Sequence, residues 1–504
     1  MRRPLAPAIT SAALAMLAAV PSLASAQSPD WKAFDAYVAK AAKDWHVPAL
    51  AIAVVHDDSL VFARGYGVLE VGKPAKADEH TRFAIGSTTK AMTSAALAML
   101  VDEGKLHFDD HVIDYIPELQ LYDSWVTREL TIRDLLTHRT GLPSLDLFWT
   151  RFDYPVPDVI HRLRYIKPAT SFRSEWEYNN VMYALNGTII ERVSGMPWEQ
   201  FVRTRIFAPL GMNETEPLVT DIRGKANVAV PHAEVNDTVR VVPIRSTDRV
   251  ASAGSVWSSV YDMSKWMRFV LDSGRVGSKR LIAQNTFREI ITPQIRAPFE
   301  EYPALQLAKA HTFSYGFGWF IQDYRGENMW MHTGSIDGMC AIIGLLPDKR
   351  TGVYILENLD HAELRHGLMY DALDQYLGGP QRDWSAEVRA LFDGMRRPGG
   401  GGRGGTVASR TPTKPSLALD RYAGTYVDSA YGTIQVTSAN GALRAKVATD
   451  PEAELVPVKY ETFRTTPAPP ASPAALTFLL DGTGGVSGVR VSGVTFNRVR
   501  ATRR

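Results

Sequence analysis

The segment 396–416 constrains the fold of this 504-residue chain more than any other stretch. It contains the run Pro398–Gly405, in which six of the eight residues are glycine, and continues into a Ser/Thr/Pro-rich tract. Such a composition predicts a flexible linker rather than a helix or strand. We therefore expect a large N-terminal domain at 27–395 and a small C-terminal domain at 417–504. Because few contacts are expected to cross such a linker, truncation after Met395 is predicted to leave a large domain that stays soluble and keeps its chemical reactivity.

The N-terminus has the pattern of a secretory signal peptide at 1–26. Arg2 and Arg3 precede a short apolar stretch that ends at the small residues Ala24-Ser25-Ala26. This predicts cleavage after Ala26 and export of a soluble protein to a periplasm. An uncleaved membrane anchor is the alternative, but Pro21 interrupts the apolar stretch before it reaches the ~20 residues needed to span a membrane.

Charge and cysteine content narrow the classes of partner. The chain carries 56 basic and 54 acidic side chains, for a formal net charge of +2. This balance provides no bulk attraction to nucleic acid or to an anionic membrane, so we expect neither as a partner. The single cysteine, Cys340, excludes an intrachain disulfide framework and a Cys-rich metal site. We expect no metal, no cofactor and a small-molecule or peptide substrate; the oligomeric state stays open.

Apolar periodicity predicts an α+β fold for the large domain. A helix from Trp31 to Trp45 precedes the strands Ala49–Val55 and Leu60–Tyr66. The Ala/Met/Leu-rich stretch Thr88–Glu103 predicts a helix that is buried on most sides. The other predicted helices are Ile132–Leu136, Tyr183–Val193, Val260–Leu271, Glu363–Tyr376 and Trp384–Met395, and the other strands are Ser314–Ile321, Met329–His332, Met339–Leu346 and Gly352–Glu357. We expect one antiparallel sheet, flanked by terminal helices, with a large helical insert.

Short strands alone predict the C-terminal domain. Asn440-Gly441 is a strong hairpin signal between the strands Thr433–Thr437 and Leu443–Val447. The further strands predicted are Leu455–Tyr460, Leu476–Leu480, Val486–Val491 and Val494–Val499. Pro457 limits the first of these to an edge strand, because proline cannot donate a ladder hydrogen bond. We expect a small β-barrel or sandwich.

Ser87-Thr88-Thr89-Lys90 opens the buried helix and places a serine and a lysine on one helical face. A lysine can accept the serine proton when burial disfavours its own charge. The helix N-terminus also favours a developing alkoxide. Alone the pattern is weak, since roughly one Ser-x-x-Lys arises by chance in a chain of this size. A capping serine and a solvent-reaching lysine are the alternative.

Two more polar clusters follow along the chain. Tyr178-Asn179-Asn180 offers a tyrosine as a second base and an asparagine that can bind a substrate amide. His332-Thr333-Gly334 ends a strand, and its glycine permits close approach of a substrate backbone. The backbone N–H of Ser335 can then pair with that of Ser87 as an oxyanion hole. Taken singly, the first cluster is better explained by a surface tyrosine in a loop, and the second has a histidine at a hairpin end as its alternative.

The three clusters in this order resemble the motifs of the penicillin-recognising serine hydrolases. This family comprises class C β-lactamases, D,D-peptidases and related esterases and D-aminopeptidases. The segments Leu130–Pro143, Ala253–Ser255 and Tyr315–Trp319 extend the resemblance, which covers roughly Trp31 to Leu377. The segment Leu419–Tyr426 resembles the start of a lipocalin-like domain attached to many of these hydrolases.

The resemblance implies roles for the motif residues. Ser87 would be the acylated nucleophile, Lys90 its proton acceptor, and Tyr178 a general base and acid in deacylation. Asn180 would orient the substrate amide, and the pocket would be lined by His332, Thr333, Gly334 and Ser335. Whether the lysine or the tyrosine first deprotonates the serine stays open, because a coupled pair shares protons.

His332 departs from β-lactamases, which carry lysine at this position. Histidine has a reference pKa of about 6.5, and the charge of Lys90 would lower it further. We therefore expect a neutral imidazole and weak recognition of a substrate carboxylate. His138, within the loop motif, is expected to be a structural histidine rather than a catalyst.

The sequence thus predicts an exported, cofactor-free serine hydrolase that cleaves peptide, amide or ester bonds through an acyl-enzyme. Peptides that contain D-amino acids are the favoured substrates. A carboxylesterase on the same scaffold is one alternative, and a penicillin-binding sensor that is acylated without turnover is another. The presence of Ser87, Lys90 and Tyr178 together favours an active enzyme.

Overall fold

The computed structural model describes residues 29–235, 237–378, 382–396, 414–466 and 473–499. The predicted signal peptide lies outside these residues, as does most of the predicted linker. Within the described ranges, no helix has the length and apolar character required to cross a membrane.

The helices lie mainly in the large domain. They are α1 Trp31–Asp44, α2 Thr89–Asp102, α3 Val112–Tyr115, α4 Ser124–Glu129, α5 Ile132–Leu136, α6 Leu147–Thr150, α7 Val156–Arg162, α8 Asn180–Ser194, α9 Trp198–Val202, α10 Ala208–Leu210, α11 Val219–Ile222, α12 Ala251–Gly254, α13 Val260–Leu271, α14 Gln284–Ile290, α15 Leu305–Ala308, α16 Leu364–Leu377 and α17 Trp384–Arg396. A π-helical turn spans Arg203–Phe207, and 3-10 turns span Gly86–Thr88, Leu163–Tyr165, Asp248–Val250, Phe299–Glu301, Pro347–Lys349 and Leu419–Tyr422.

The strands divide between the two domains. Those of the large domain are β1 Ala49–His56, β2 Ser59–Gly67, β3 Phe83–Ala84, β4 His232–Glu234, β5 Val239–Val241, β6 Trp257–Ser258, β7 Arg275–Val276, β8 Lys279–Arg280, β9 Ile295–Arg296, β10 Phe313–Tyr315, β11 Phe320–Tyr324, β12 Glu327–Ile336, β13 Met339–Leu346 and β14 Thr351–Glu357. Those of the small domain are β15 Gly424–Asp428, β16 Gly432–Ala439, β17 Ala442–Val447, β18 Ala453–Lys459, β19 Thr462–Thr466, β20 Ala475–Leu480, β21 Val486–Val491 and β22 Val494–Arg498.

One antiparallel sheet organises the large domain, in the order β2-β1-β14-β13-β12-β11-β10-β9. Alternate residues of β1 enter two separate cores: Leu50 and Ile52 pack with α1, α16 and α17, whereas Ala51 and Ala53 pack with α2, α8 and α13. This is the period of two expected for a strand buried on both faces. The expected α+β class, with a helical insert between the first and last strands, is confirmed.

Helix α2 runs through the centre of the second core. Residues 89–100 of α2 are all buried, and small or unbranched side chains such as Ala95 and Ala98 allow α8, α12 and α14 to pack closely around it. A helix that is apolar on most sides can be stable only when it is surrounded in this way. The predicted burial of this helix is therefore confirmed.

The single strand predicted at Ser314–Ile321 is wrong, because the chain forms two strands there, β10 and β11. Gly318 turns the chain with a φ of +76°, and a Cβ atom on it would lie 2.8 Å from the carbonyl carbon of Lys90. The glycine is thus needed where this turn meets the backbone of α2. The prediction failed because aromatic residues alternate with glycines here, and such alternation is also typical of one continuous strand.

The small domain is a closed barrel of the eight strands β15 to β22 in sequence order. Sequence reasoning missed β15 and β19 as strands. Its assignment of Pro457 to an edge strand is wrong, because β18 pairs with both β17 and β19. The register shifts between Pro457 and Lys459, which lets the ladder accommodate a residue without an N–H.

The barrel packs against the helical insert, so the expectation of few contacts between the domains is wrong. The ring of Tyr431 stacks on Phe148 with centroids 4.4 Å apart. Arg151 Nη1 donates to Asp450 Oδ2 at 2.7 Å, and the Tyr154 hydroxyl donates to the carbonyl oxygen of Tyr431 at 3.0 Å. Removal of the barrel would therefore expose aromatic side chains of the large domain.

Tyr431→Ala is expected to weaken this interface. Tyr431 is 3% exposed, and truncation of a buried aromatic side chain lowers the free energy of unfolding by about 3 kcal/mol. Tyr460→Ala is the matched control, since Tyr460 is 58% exposed in the same barrel, and it should change this free energy by less than about 0.5 kcal/mol. Urea unfolding measures both variants, and equal losses would contradict a stabilising role for the interface.

Candidate active site

Ser87 lies in the 3-10 turn that leads into α2. The turn begins at Gly86, whose φ of +54° favours glycine, and a Cβ atom there would lie 2.8 Å from the backbone nitrogen of Ser335. The turn therefore brings β12 close to the N-terminus of α2. The side chain of Ser87 is half-buried and remains accessible to a substrate.

Lys90 is buried one helical turn behind the serine. Its Nζ lies 3.1 Å from Ser87 Oγ, 2.7 Å from Asn180 Oδ1 and 2.9 Å from the carbonyl oxygen of Ala253. Burial holds the pKa of Lys90 well below its usual range, and the negative charge of Asp146 opposes this effect only in part. The neutral amine is therefore favoured.

Tyr178 approaches the serine from the other side. Its hydroxyl donates to Ser87 Oγ at 2.6 Å, and Lys90 Nζ lies 4.7 Å from the centroid of its ring. Loss of solvent raises the pKa of Tyr178 well above its usual value, while the hydrogen bond to Ser87 lowers it. The structure thus places next to Ser87 Oγ two polar groups whose pKa values burial shifts toward the neutral form.

His138 holds the turn that carries Tyr178. The backbone N–H of Asn179 donates to His138 Nδ1 at 3.2 Å, and the imidazole lies 4.5 Å from the Tyr178 ring, centroid to centroid. Burial, and then the charge of Lys90, lower the pKa of His138 well below its usual value. The histidine is placed as a structural group, as the sequence predicted.

Asp146 is a site residue that sequence reasoning missed. Its Oδ1 accepts hydrogen bonds from Asn180 Nδ2 at 3.0 Å and from Trp149 Nε1 at 2.9 Å. These bonds orient the amide of Asn180 so that its oxygen faces Lys90. No motif marks this aspartate; its position just after the loop motif that ends at Pro143 is the only signal in the sequence.

Strand β12 forms the opposite wall of the site. Gly334 packs so closely against the preceding turn that a Cβ atom on it would lie 1.9 Å from the carbonyl oxygen of Ile85. Ser335 follows with an exposed side chain, whose Oγ accepts from Arg365 Nη1 at 2.9 Å. The backbone nitrogen of Ser335 lies beside the turn that contains Ser87, 2.8 Å from the position that a Cβ atom on Gly86 would take.

His332 is buried behind the wall that β12 forms. It is 1% exposed; Nε2 lies 3.0 Å from the Tyr315 hydroxyl and Nδ1 lies 2.6 Å from the carbonyl oxygen of Thr333. Burial, and then the charge of Lys90, lower the pKa of His332 to about 3. This direction agrees with the expected neutral imidazole.

Tyr302 is the second residue that sequence reasoning missed. It lies between the 3-10 turn Phe299–Glu301 and α15, and its hydroxyl is 2.5 Å from Thr333 Oγ1. The surrounding segment is irregular and contains no recognisable motif. The aromatic residues of this segment do not by themselves indicate that one of them contacts β12.

Comparison with known families matches residues 34–377 to the family described as Beta-lactamase. The chain belongs to the beta-lactamase family. Residues 408–502 match a family described as a domain of unknown function, DUF3471. The Beta-lactamase match includes the elements that carry Ser87, Lys90, Tyr178 and His332. In the described part of the chain, no group of three or more His, Cys, Asp or Glu side chains is arranged to hold a metal ion.

Relatives and solved structures agree with this family. The chain is 29% identical over 447 residues to the unguisins hydrolase ungD of Aspergillus violaceofuscus, covering 82% of this chain and 78% of that protein. The octameric penicillin-binding protein homologue of Pyrococcus abyssi shares the fold with a TM-score of 0.60 at 21% identity, over 93% of this chain and 99% of the other. A D-stereospecific amidohydrolase of a Streptomyces species shares it with a TM-score of 0.55 at 22% identity, over 70% and 100%.

Gly334→Ala is expected to disturb the junction between β12 and the Ser87 turn. The added methyl group would meet the backbone of Ile85, so one of the two segments must move. Displacement of an oxyanion donor slows acylation by about 100-fold or more. The rate of Ser87 labelling by a fluorophosphonate measures the effect, with folding checked by circular dichroism.

Gly394→Ala is the matched control for this variant. Gly394 is exposed in α17, and a Cβ atom on it meets no other atom within 4 Å. Its labelling rate should equal that of the unmodified protein. If a folded Gly334→Ala protein is labelled as fast as the control, the close approach of β12 to the Ser87 turn is not needed for the reactivity of Ser87.

Proposed function

We propose that the protein is an exported serine hydrolase that forms an acyl-enzyme at Ser87. The observation that carries this proposal is the pair of contacts on Ser87 Oγ, from Lys90 Nζ at 3.1 Å and from the Tyr178 hydroxyl at 2.6 Å. A serine becomes a nucleophile when a neighbouring base accepts its proton. The signal-peptide pattern at 1–26 supports export to a periplasm.

Hydrogen-bond geometry favours Lys90 over Tyr178 as the first base. A neutral amine has two N–H groups and one lone pair. Asn180 Oδ1 and the carbonyl oxygen of Ala253 can only accept, so they take the two N–H groups. The lone pair is then left for the hydroxyl hydrogen of Ser87. Tyr178 keeps its proton and donates to the same Ser87 oxygen.

Acylation follows from this arrangement. As Ser87 Oγ bonds to the carbonyl carbon of the substrate, its proton passes to the lone pair of Lys90. The N–H groups of Ser87 and Ser335 are the donors proposed for the resulting oxyanion. When the bond to the leaving nitrogen or oxygen breaks, Tyr178 is placed to protonate that atom, and the proton on Lys90 replaces the one that Tyr178 gives up. Water then attacks the acyl-enzyme with the same groups acting in reverse.

Amide bonds next to D-amino acids are the proposed substrates. The family supports a hydrolase, one relative is named as a hydrolase of unguisins, and one structural neighbour is named a D-stereospecific amidohydrolase. Asn180 supports recognition of an amide, because its Nδ2 is held at the site by Asp146 and retains a second N–H. That N–H can donate to the carbonyl oxygen of the acyl residue.

Ser87→Ala is expected to abolish covalent labelling by a fluorophosphonate or a fluorescent penicillin, because the reacting oxygen is removed. Ser144→Ala is the control: Ser144 is exposed on the nearby loop, and its loss should leave labelling unchanged. Intact-mass spectrometry of the labelled proteins gives the result. Labelling that persists in Ser87→Ala would assign the nucleophile to another residue.

The pH dependence of ester hydrolysis should reflect a neutral Lys90 and a protonated Tyr178. Acylation needs the free amine, so kcat/KM rises with pH through the pKa of Lys90, which burial places well below 10.5. The rate should fall only when Tyr178 loses its proton, and its pKa lies above 10. We expect the rising limb to be complete well below pH 10.5 and a plateau to follow into the alkaline range, measured with an uncharged ester. Lys90→Arg should lose the activity, because arginine stays protonated.

A rising limb that is complete only above a pH of about 10 would contradict this account, because it would mean that Lys90 is charged in the free enzyme. Retention of activity in Lys90→Arg would contradict it independently.

A further inference from the structure

The hydroxyl of Thr333 already has a partner within the protein. Tyr302 places its own hydroxyl 2.5 Å from Thr333 Oγ1, and either oxygen can act as the donor. Thr333 is one residue past the position at which β-lactamases carry lysine, and two residues before Ser335. Its hydroxyl is therefore one group on β12 that would otherwise be available to a substrate lying along this strand.

Aromatic packing holds Tyr302 in this position. Its ring meets Phe320 edge-on with centroids 4.7 Å apart, and it also contacts Phe313 at 5.8 Å and His366 at 6.2 Å. Such contacts fix both torsions of the side chain. Negative charge on Tyr302 would raise the pKa of Tyr178, so the two phenols lie within electrostatic range across the site.

The basic groups behind this wall are neutral or already paired. His332 is neutral, because burial lowers its pKa to about 3. Arg365 is 5% exposed at its side chain, forms an ion pair with Glu363 at 3.1 Å and donates to the carbonyl oxygen of Gly334 at 2.7 Å. Neither group can come forward to meet a substrate carboxylate.

Acidic residues lie next to Tyr302 in the chain and at the turn after β12. Glu300 and Glu301 directly precede Tyr302, and Glu300 is exposed. At the turn after β12, Arg245 Nε forms an ion pair with Asp337 Oδ2 at 2.9 Å. His332 and Arg365 thus offer no unpaired cation to a carboxylate bound beside Thr333, which would be desolvated there without a compensating charge from either group.

We propose that Tyr302 is a specificity-determining residue that makes the site select substrates without a carboxylate on the leaving group. The inference rests on the proposed acyl-enzyme function and names its substrate class more closely. The favoured substrates are internal peptide bonds, carboxamides and neutral esters. Terminal D-alanyl peptides and β-lactams, which carry the carboxylate, are poor substrates.

A matched pair of aryl esters tests this selectivity. Both carry the same N-acyl-D-alanyl group; one has 3-hydroxybenzoate as the leaving group and the other has 3-hydroxybenzamide. The value of kcat/KM for each ester is divided by its rate of alkaline hydrolysis. The unmodified enzyme should prefer the carboxamide ester by about tenfold or more, the effect expected of one unpaired charge at a partly desolvated site.

Tyr302→Phe should reduce this preference to within about threefold, because it removes one hydroxyl and releases that of Thr333. Tyr66→Phe is the matched control. It also removes a hydrogen-bonded hydroxyl, which donates to Asp35 at 2.6 Å, but it lies on β2 at the opposite side of the sheet. The control should keep the preference of the unmodified enzyme.

Several outcomes would overturn the inference. One is a preference of the unmodified enzyme for the carboxylate ester, and another is an unchanged preference in Tyr302→Phe. A selective loss of the carboxylate ester in that variant would show that Tyr302 binds the carboxylate. An enzyme that is labelled at Ser87 by a fluorophosphonate but cleaves neither ester would also overturn it. A protein that is not labelled at Ser87 would instead refute the acyl-enzyme function, and the inference with it.

Discussion

The burial of the Lys90 amine is the constraint on which the rest of the site depends. An ammonium group at this position would be separated from water, with Asn180 Oδ1 and the carbonyl oxygen of Ala253 as its nearest acceptors. Burial lowers the pKa of Lys90 well below its usual value, and in the proposed neutral amine these acceptors leave the lone pair for Ser87. The apolar surface of α2 and the helices packed around it create this environment. The packing that forms the core of the domain therefore also buries the Lys90 amine.

Close contact between backbones fixes the remaining geometry. Gly86 and Gly334 let the Ser87 turn approach β12, and Gly318 lets the turn between β10 and β11 meet α2 beside Lys90. A side chain at any of these positions would separate the segments by the width of a methyl group. The donors proposed for the oxyanion, the nucleophile and the base are thus positioned by regular elements of the fold rather than by mobile loops.

The sequence predicted the parts of this structure that local patterns encode. Apolar periodicity located the long helices and the central strands, and the motifs identified Ser87, Lys90, Tyr178 and Asn180, whose side chains the structure brings within hydrogen-bond distance. Asp146 and Tyr302 were not predicted as site residues, because they lie in irregular segments where no spacing rule connects residues that are distant in the chain. The docking of the barrel escaped for a similar reason, since a flexible linker carries no information about the surfaces that it joins.

The protonation state of Lys90 in the free enzyme is the most direct test of this account. Titration of ¹³Cε-labelled lysine by NMR follows each lysine separately, and the Lys90→Arg spectrum assigns the signal in question. Because burial lowers the pKa of Lys90, one lysine signal is expected to titrate well below the signals of the surface lysines. A Lys90 signal that titrates together with the surface lysines would show that the amine is charged at rest, and would contradict its role as the base that activates Ser87.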